Sequence, residues 1–373
     1  MSYKVPFVNY GLQYRNLKQE IDNAIQSVLE RGDLILRQDV EDFEKSLADF
    51  AGAEHAVALN SGTDALFFSL KAAGVGPGDE VITVSHTFIA SITAIIQCGA
   101  KPVLVDVGDD FMMDMEGIKK VITKKTKAII PVYLNGRMCD MEKLMAIARK
   151  HNLAVIEDSA QALGAKFKDK KAGSVGLTGC FSFYPAKILG CFGDGGALTT
   201  NNSEIAEKVR LLRDHGQKTK TEILCYGWNS RLDNLQAAVL NIKLKYLPKW
   251  IGRRREIAEI YNKGLAEILE IKLPPAPNSD EKYFDVFQNY VLRAEKRDKL
   301  FNFLKEKGVE TLIKDPVPNH WQKELNLSHF KLPYSEQLAK EVISLPMYPE
   351  LTNEQVKYAI KCVKEFYETA KNS

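Results

Sequence analysis

The strongest constraint on how this chain can fold is an alternation between residues 55 and 200. Short, mostly apolar runs ("HAVAL", "EVITV", "KPVLVDV", "KAIIPVYL", "LAVIED") are separated by stretches with helical periodicity, "SGTDALFFSLKAAG", "TFIASITAIIQCG" and "MEKLMAIARKHN". A strand that is apolar on both faces must be covered on both faces, and a parallel neighbour needs a crossover long enough to hold a helix. The pattern predicts an α/β fold with a mostly parallel sheet between helical layers. "GCFSFYP" and "GGALTTN" read as two further strands, and "SEIAEKVRLLRDHG" as a capped helix ending at Gly216.

With 373 residues the chain is too long for one small core. The style changes beyond the long helical stretch that starts at "RLDNLQAAVL", in which Pro248 predicts a kink or break. The proline-rich "IKLPPAPNSDEK", the strand-like "FQNYVLRA" and the helix-like "KRDKLFNFLKEKG" then suggest a small α+β unit. The expected division is a large domain over residues 1–245 and a smaller C-terminal α+β domain over 246–373, with the boundary inside or just after the long helix.

Composition excludes several classes of function. The 51 Lys and Arg residues nearly balance 48 Asp and Glu, so there is no electrostatic footprint for nucleic acid. The densest basic cluster, "GRRRE", is followed by acids and reads as a solvated helix face. Six scattered cysteines without a CxxC pair suggest neither zinc nor disulfides, and point to a reducing, cytoplasmic setting with no metal. Neither a signal peptide nor an apolar run of membrane-spanning length is expected.

Three places in the sheet could carry chemistry, because ligands of such folds bind at the carboxyl ends of the strands. In "ALNSGTDAL" a strand turns into a helix whose free N–H groups, with the hydroxyls of Ser61 and Thr63, suit a phosphate; the plainer reading is a helix cap. "LAVIEDSAQALGA" ends a strand with Glu157 and Asp158, which could cap the strand end or partner a cation, and Gln161 follows one helical step on. In "FSFYPAKILGCFGDGGALTT" a lone lysine, Lys187, stands among aromatic, aliphatic and glycine residues. A desolvated amine has a depressed pKa and attacks carbonyl carbon. Phosphate cradle, strand-end carboxylate and buried lysine are together what pyridoxal phosphate (PLP) chemistry needs. Phe88, in "VSHTFIAS", is available to cover the ring, although a lone Phe reads first as core. A dinucleotide-binding reading fails, because the glycines of "LGCFGDGG" do not run from a strand into a helix and no ribose-binding acid follows.

At these residues the sequence resembles the DegT/StrS family of PLP-dependent sugar aminotransferases, within the fold type I group. The motifs that carry the resemblance are "NSGTDAL", "GDEVIT", "EDSAQALGA", "FSFYPAKILGCFGDGGALTTN", "YGWNSRLDNLQAA" and "SLPMYP", spread over nearly the whole chain. The resemblance implies a seven-stranded large-domain sheet. It makes Lys187 the catalytic Schiff-base lysine, Asp158 the acid facing the pyridine nitrogen and Gln161 the amide near the ring hydroxyl. Gly62, Thr63 and Ser182 become phosphate ligands and Phe88 the stacking aromatic. Asn229, in "YGWNSRLD", matches an asparagine that reaches the phosphate from the other subunit, which implies a homodimer with shared active sites.

The implied reaction is ping-pong transamination through a pyridoxamine phosphate form. Glutamate is the donor and a nucleotide-linked ketosugar the acceptor, in amino-sugar biosynthesis; relatives that run dehydration have histidine at the lysine position. Two other readings stay open: an aminotransferase of free or phosphorylated ketosugars, and a non-enzymatic regulator on the same fold. "DLILRQDV" at 33–40, Asn135 and Asp315 depart from commoner family versions and are expected near the sugar nucleotide. His86 and His320 could touch substrate, with a structural role as the plainer reading of each.

Overall fold

The computed structural model describes residues 3–371. Its strands are β1 (His55–Leu59), β2 (Glu80–Val84), β3 (Lys101–Val105), β4 (Thr126–Ile129), β5 (Ala154–Asp158), the short β6 (Lys166–Phe167) and β7 (Lys170–Lys171), β8 (Thr178–Ser182) and β9 (Gly196–Thr200). After these come β10 (Gln217–Thr219), β11 (Glu222–Ile223), β12 (Ile271–Lys272), β13 (Tyr283–Phe284), β14 (Tyr290–Ala294) and β15 (Val342–Leu345). The helices are α1 (Tyr10–Arg31), α2 (Gln38–Ala51), α3 (Gly62–Ala72), α4 (Ala90–Gln97), α5 (Met115–Val121), α6 (Met141–His151), α7 (Ser203–Arg213), α8 (Asn234–Leu265), α9 (Arg297–Glu306), α10 (Pro333–Glu341) and α11 (Asn353–Lys371).

The central sheet has seven strands in the order β1-β9-β8-β5-β4-β2-β3, so the fold class is the one expected from the alternation of runs. Its β2–β3, β2–β4, β4–β5 and β5–β8 pairs are parallel, while β9 runs antiparallel to both β1 and β8. The single reversal has a local cause. Residues 183–195, which include Lys187, fold back on themselves instead of crossing over, and return the chain beside the strand it has just left. The carboxyl ends of β1, β2, β5 and β8 then open onto one crevice, where β1 leads into α3 and β5 ends at Asp158.

A main core packs the sheet against its covering helices and takes in Leu240, Leu247 and Ile251 of α8. A second core begins on the same helix at Ile257, and packs α9 and α11 on the three-stranded antiparallel sheet β12-β14-β15. Val5, from the other end of the chain, is buried in this second core. The kink or break expected at Pro248 does not interrupt the helix, which runs unbroken through it. The proline sits between Leu247, Trp250 and Ile251, all buried, so tertiary packing on both sides offsets the missing N–H. All six cysteines are free. Among the described residues no helix is long and apolar enough to cross a membrane, and no cluster of acidic, His and Cys side chains could hold a metal ion.

Candidate active site

A cavity of about 690 Å³ lies at the carboxyl ends of the parallel strands. Seven of the eight residues expected to form a site line it: Gly62, Thr63, Phe88, Asp158, Gln161, Ser182 and Lys187.

The helix α3 starts at its rim. Ser61 is the N-cap, its hydroxyl accepting from the Asp64 N–H at 3.1 Å, so the capping reading of this serine is correct. The Gly62 and Thr63 N–H groups precede the first intrahelical bond and have no partner within the described chain. Gly62 packs against the end of β8 so closely that a Cβ there would stand 2.8 Å from the Ser182 Cβ. Only glycine lets the helix start, Thr63 and Ser182 converge on one point, and the result is a small concave site that favours an anion.

Two adjacent carboxylates end β5, and the two-residue period of a strand sends them to opposite faces. Glu157 is fully buried on the far side. It accepts from the Tyr133 hydroxyl (3.0 Å) and from the N–H groups of Gly173 (2.8 Å), Val175 (2.8 Å) and Gly176 (2.7 Å), which pins the loop between β7 and β8. Asp158 faces the cavity. Its Oδ2 accepts from the Ser91 hydroxyl at 2.7 Å and its Oδ1 from the Ala160 N–H at 3.3 Å. Burial raises its carboxyl above the usual value, against the pull of Ser91, Ala160 and the Lys187 charge.

Lys187 sits on the 183–195 turn, which is braced at several points. The Phe183 N–H donates to the Gly195 carbonyl (2.7 Å) and the Cys191 N–H to the Phe183 carbonyl (2.9 Å). From α8, Lys243 donates to the Gly190 carbonyl (2.7 Å), and Gln236 accepts from the Phe192 N–H (2.8 Å). Gln288 donates to the Ala186 carbonyl at 2.8 Å. The backbone is thus fixed on both sides of Lys187, yet its ammonium makes no hydrogen bond or ion pair with any described residue. Burial lowers its pKa, opposed by Asp158 and Asp315.

Part of the remaining wall is polar. Gln161 Oε1 accepts from the Asn135 N–H (2.8 Å) and from Asn289 Nδ2 (3.1 Å), which leaves its NH2 group without a partner among the described residues. Asn289 in turn accepts from Lys314 Nζ at 2.6 Å. Phe88, read first as core, is 62% exposed at the cavity, as a residue awaiting a partner for its ring face would be.

Other expected positions lie elsewhere. Asn229 is exposed and does not line the cavity, although its neighbour Ser230 ties that segment to α3 by donating to Asp64 at 2.6 Å. Of the three departures expected near a sugar nucleotide, only Asp315 lines the cavity. Asn135 stands behind Gln161, and the 33–40 stretch docks on the start of α8, where the Leu34 carbonyl accepts from the Asn234 N–H at 2.9 Å.

Neither histidine lines the cavity. His86 is buried in a stack on Phe111, with ring centroids 5.8 Å apart, and burial lowers its pKa to about 4 despite Asp106. His320 is fully buried between the Ser85 hydroxyl (2.8 Å) and Glu336 (3.2 Å), and so fastens the 311–321 segment to the end of β2. Sequence reasoning missed Tyr184, Gln288 and Lys314, which also line the cavity, and Asn289 behind them. Only Lys314 carried a signal, as the neighbour of the atypical Asp315.

Comparison with known proteins agrees with this geometry. The chain is 44% identical to the "pleiotropic regulatory protein" of Geobacillus stearothermophilus, over 97% of this chain and 98% of that protein. It is 42% identical to dTDP-3-amino-3,4,6-trideoxy-alpha-D-glucose transaminase of Streptomyces venezuelae, over 98% and 97%. The crystal structure of S. venezuelae DesV in complex with a ketimine intermediate superposes with a TM-score of 0.94 at 41% identity, covering 98% of this chain and 99% of that one. The profile of one family matches residues 15–364, and the chain belongs to it: the DegT/DnrJ/EryC1/StrS aminotransferase family.

Proposed function

We propose that the chain is a PLP-dependent aminotransferase that moves the amino group of glutamate onto a keto group of a nucleotide-linked hexose, in amino-sugar biosynthesis. The observation that carries this reading is one cavity that joins an unpartnered lysine, a buried strand-end carboxylate and the open start of a helix. The residues fit the cofactor. The Gly62 and Thr63 N–H groups, with the Thr63 and Ser182 hydroxyls, hold the phosphate in the concavity that a side chain at position 62 would fill. Asp158 holds the proton of the pyridine nitrogen, and that cation offsets the desolvation that otherwise disfavours its charge. Phe88 covers a ring face, and the free NH2 of Gln161 serves the ring hydroxyl.

When bound, PLP supplies an electron sink that makes a proton on the adjoining carbon removable. Lys187 anchors the cofactor covalently. Burial lowers the pKa of its amine and so favours the neutral, proton-accepting form, and with the cofactor bound Lys187 would move the proton between the amino acid or sugar carbon and the cofactor carbon. The braced backbone on either side of Lys187 keeps that amine within reach of both carbons. Asn229, exposed and outside this chain's cavity, completes the phosphate site of a second subunit. The exposed apolar segment beside it, with Tyr226 95% exposed and Ile223 68%, supports a homodimer.

A purely regulatory role, which the name of the G. stearothermophilus relative suggests, would need neither the unpartnered lysine nor the carboxylate facing it. The test is direct: the purified protein should be yellow, lose that colour with glutamate, and regain it with a nucleotide-linked ketosugar. Because the S. venezuelae relative is named for a 3-amino sugar, 3-ketosugars head the panel. A protein that binds no PLP, or that aminates only free or phosphorylated ketosugars, refutes this reading.

A further inference from the structure

Among the described residues lining the cavity there are two cations, Lys187 and Lys314, and no arginine. Lys187 is committed to the cofactor, and the α3 start and Asp158 are committed to its phosphate and its ring nitrogen. An amino-acid donor still brings a carboxylate into this enclosure, and a carboxylate taken out of water needs a cation. Among the described residues lining the cavity, Lys314 is the cation left to meet it.

Its surroundings suit that task. Lys314 is half-buried on the segment that His320 and Asn319 fasten to the end of β2; Asn319 donates to the carbonyls of Ser85 (2.9 Å) and Thr87 (2.6 Å). An ammonium has three donors, and Lys314 spends one, on Asn289 Oδ1 at 2.6 Å. Among the described residues no carboxylate lies within ion-pairing distance of its Nζ. Asp315, held with φ at 50°, lines the same cavity and acts on Lys314 through space without pairing with it. The bond to Asn289 also orients that amide so that its NH2 group reaches Gln161 and Asn135 (3.2 Å). A ligand that draws Lys314 thus pulls on the side chain that sets Gln161, the ring-facing amide.

We propose that Lys314 is the carboxylate-binding residue of this site, engaged by the amino-acid donor in the first half of the reaction. The inference rests on the aminotransferase reading above. Lys314 acts by direct contact with that donor, and it reports the donor's presence to Gln161 through Asn289.

The two half-reactions separate the sources of negative charge, because the donor brings a carboxylate and the acceptor brings its nucleotide phosphates. The holoenzyme and its Lys314→Met and Lys314→Arg variants are followed by the cofactor's visible absorbance, first with glutamate and then, in the pyridoxamine form, with the ketosugar. In Lys314→Met the half-saturating glutamate concentration should rise about tenfold or more, as expected for losing a charged hydrogen bond. Lys314→Arg should restore most of that loss, and the half-saturating ketosugar concentration should stay within about twofold. Unchanged cofactor loading in each variant reports an intact fold, and Lys314→Gln replaces Met should the latter fail to load.

Glutamate saturation unaffected by loss of the ammonium overturns the proposal and points to a cation from the second subunit. A loss confined to the ketosugar step also overturns it, and assigns Lys314 to the nucleotide sugar. Wild-type protein that loads PLP but reacts with no amino acid overturns the aminotransferase reading itself, and this inference with it.

Discussion

Replacing Asp158 with Asn separates charge from shape at the point where the two matter most. In the free chain the carboxylate has two partners, the Ser91 hydroxyl at 2.7 Å and the Ala160 N–H at 3.3 Å. An amide in the same rotamer still accepts from Ala160 and turns its NH2 group toward Ser91. That hydroxyl can rotate to accept, because Thr87 Oγ1 at 3.0 Å and the Phe88 carbonyl at 3.5 Å offer it other partners. The protein therefore loses no hydrogen bond; what disappears is the negative charge facing the cavity. Breaking a buried ion pair by removing one partner costs about 3–5 kcal/mol. Expressed on the glutamate half-reaction, that is a fall of about a hundred- to a few thousand-fold.

The cofactor-free chain should respond in the opposite direction. Burial raises the Asp158 carboxyl above its ordinary value of 3.8, so between the two values the native chain binds more protons than the unfolded one. Stability then falls as pH climbs through that window, a penalty carried by the ionised carboxylate. Asn removes it, and the Tm of the cofactor-free variant should hold or rise. The assay pairs single-turnover absorbance of the loaded enzyme with calorimetry of the cofactor-free one. A half-reaction within about tenfold of wild type, or a clear drop in cofactor-free Tm, would refute the assignment of Asp158 as a charge held for the cofactor.

The sheet and the residues at its strand ends were legible because both follow from local rules. Apolar runs alternating with helical periods leave little choice of fold, and each candidate at a strand end had only to be the right residue type. What stayed ambiguous was direction. "IED" offers two carboxylates, and strand pleating guarantees that they face opposite ways, but nothing local says that Glu157 takes the loop and Asp158 the cavity. Phe88 was ambiguous for a related reason: from the residue alone it reads as core, and only the family resemblance placed it at the ring, since an aromatic kept free for a ligand has the same sequence as one buried in a core. Pro248 is a true helix breaker by propensity, overruled by the buried residues around it in α8. The helices α1 and α2 went unread; in α1 only Leu17, Ile21 and Val28 are buried, too sparse a stripe to stand out. Of the wall formed by Gln288, Asn289 and Lys314, only Lys314 had a local signal, beside the atypical Asp315; the rest comes from the C-terminal part of the chain and meets Gln161 only in three dimensions.

The other assigned residues make claims that can be checked separately. Lys187→Ala should retain no borohydride-reducible cofactor and no turnover, and a stable adduct at another lysine would sink its assignment. Gly62→Ala places a Cβ 2.8 Å from the Ser182 Cβ, so α3 must move off β8. Overpacking of this kind costs about 1–3 kcal/mol, and PLP titrated into the cofactor-free variant should bind about tenfold more weakly; unchanged affinity would mean that the helix start does not hold the phosphate. The last claim concerns a residue that this chain's own cavity leaves out. Asn229 follows an exposed apolar segment and is anchored by Ser230 beside α3, where it does not line its own chain's cavity and, in the homodimer proposed above, would serve the site of a second subunit. Mixed with inactive Lys187→Ala protein, an inactive Asn229→Ala variant should regain part of its activity, because one site of each heterodimer then has both wild-type residues. A fully active monomer, or no recovery despite proven subunit exchange, would place the whole site within one chain.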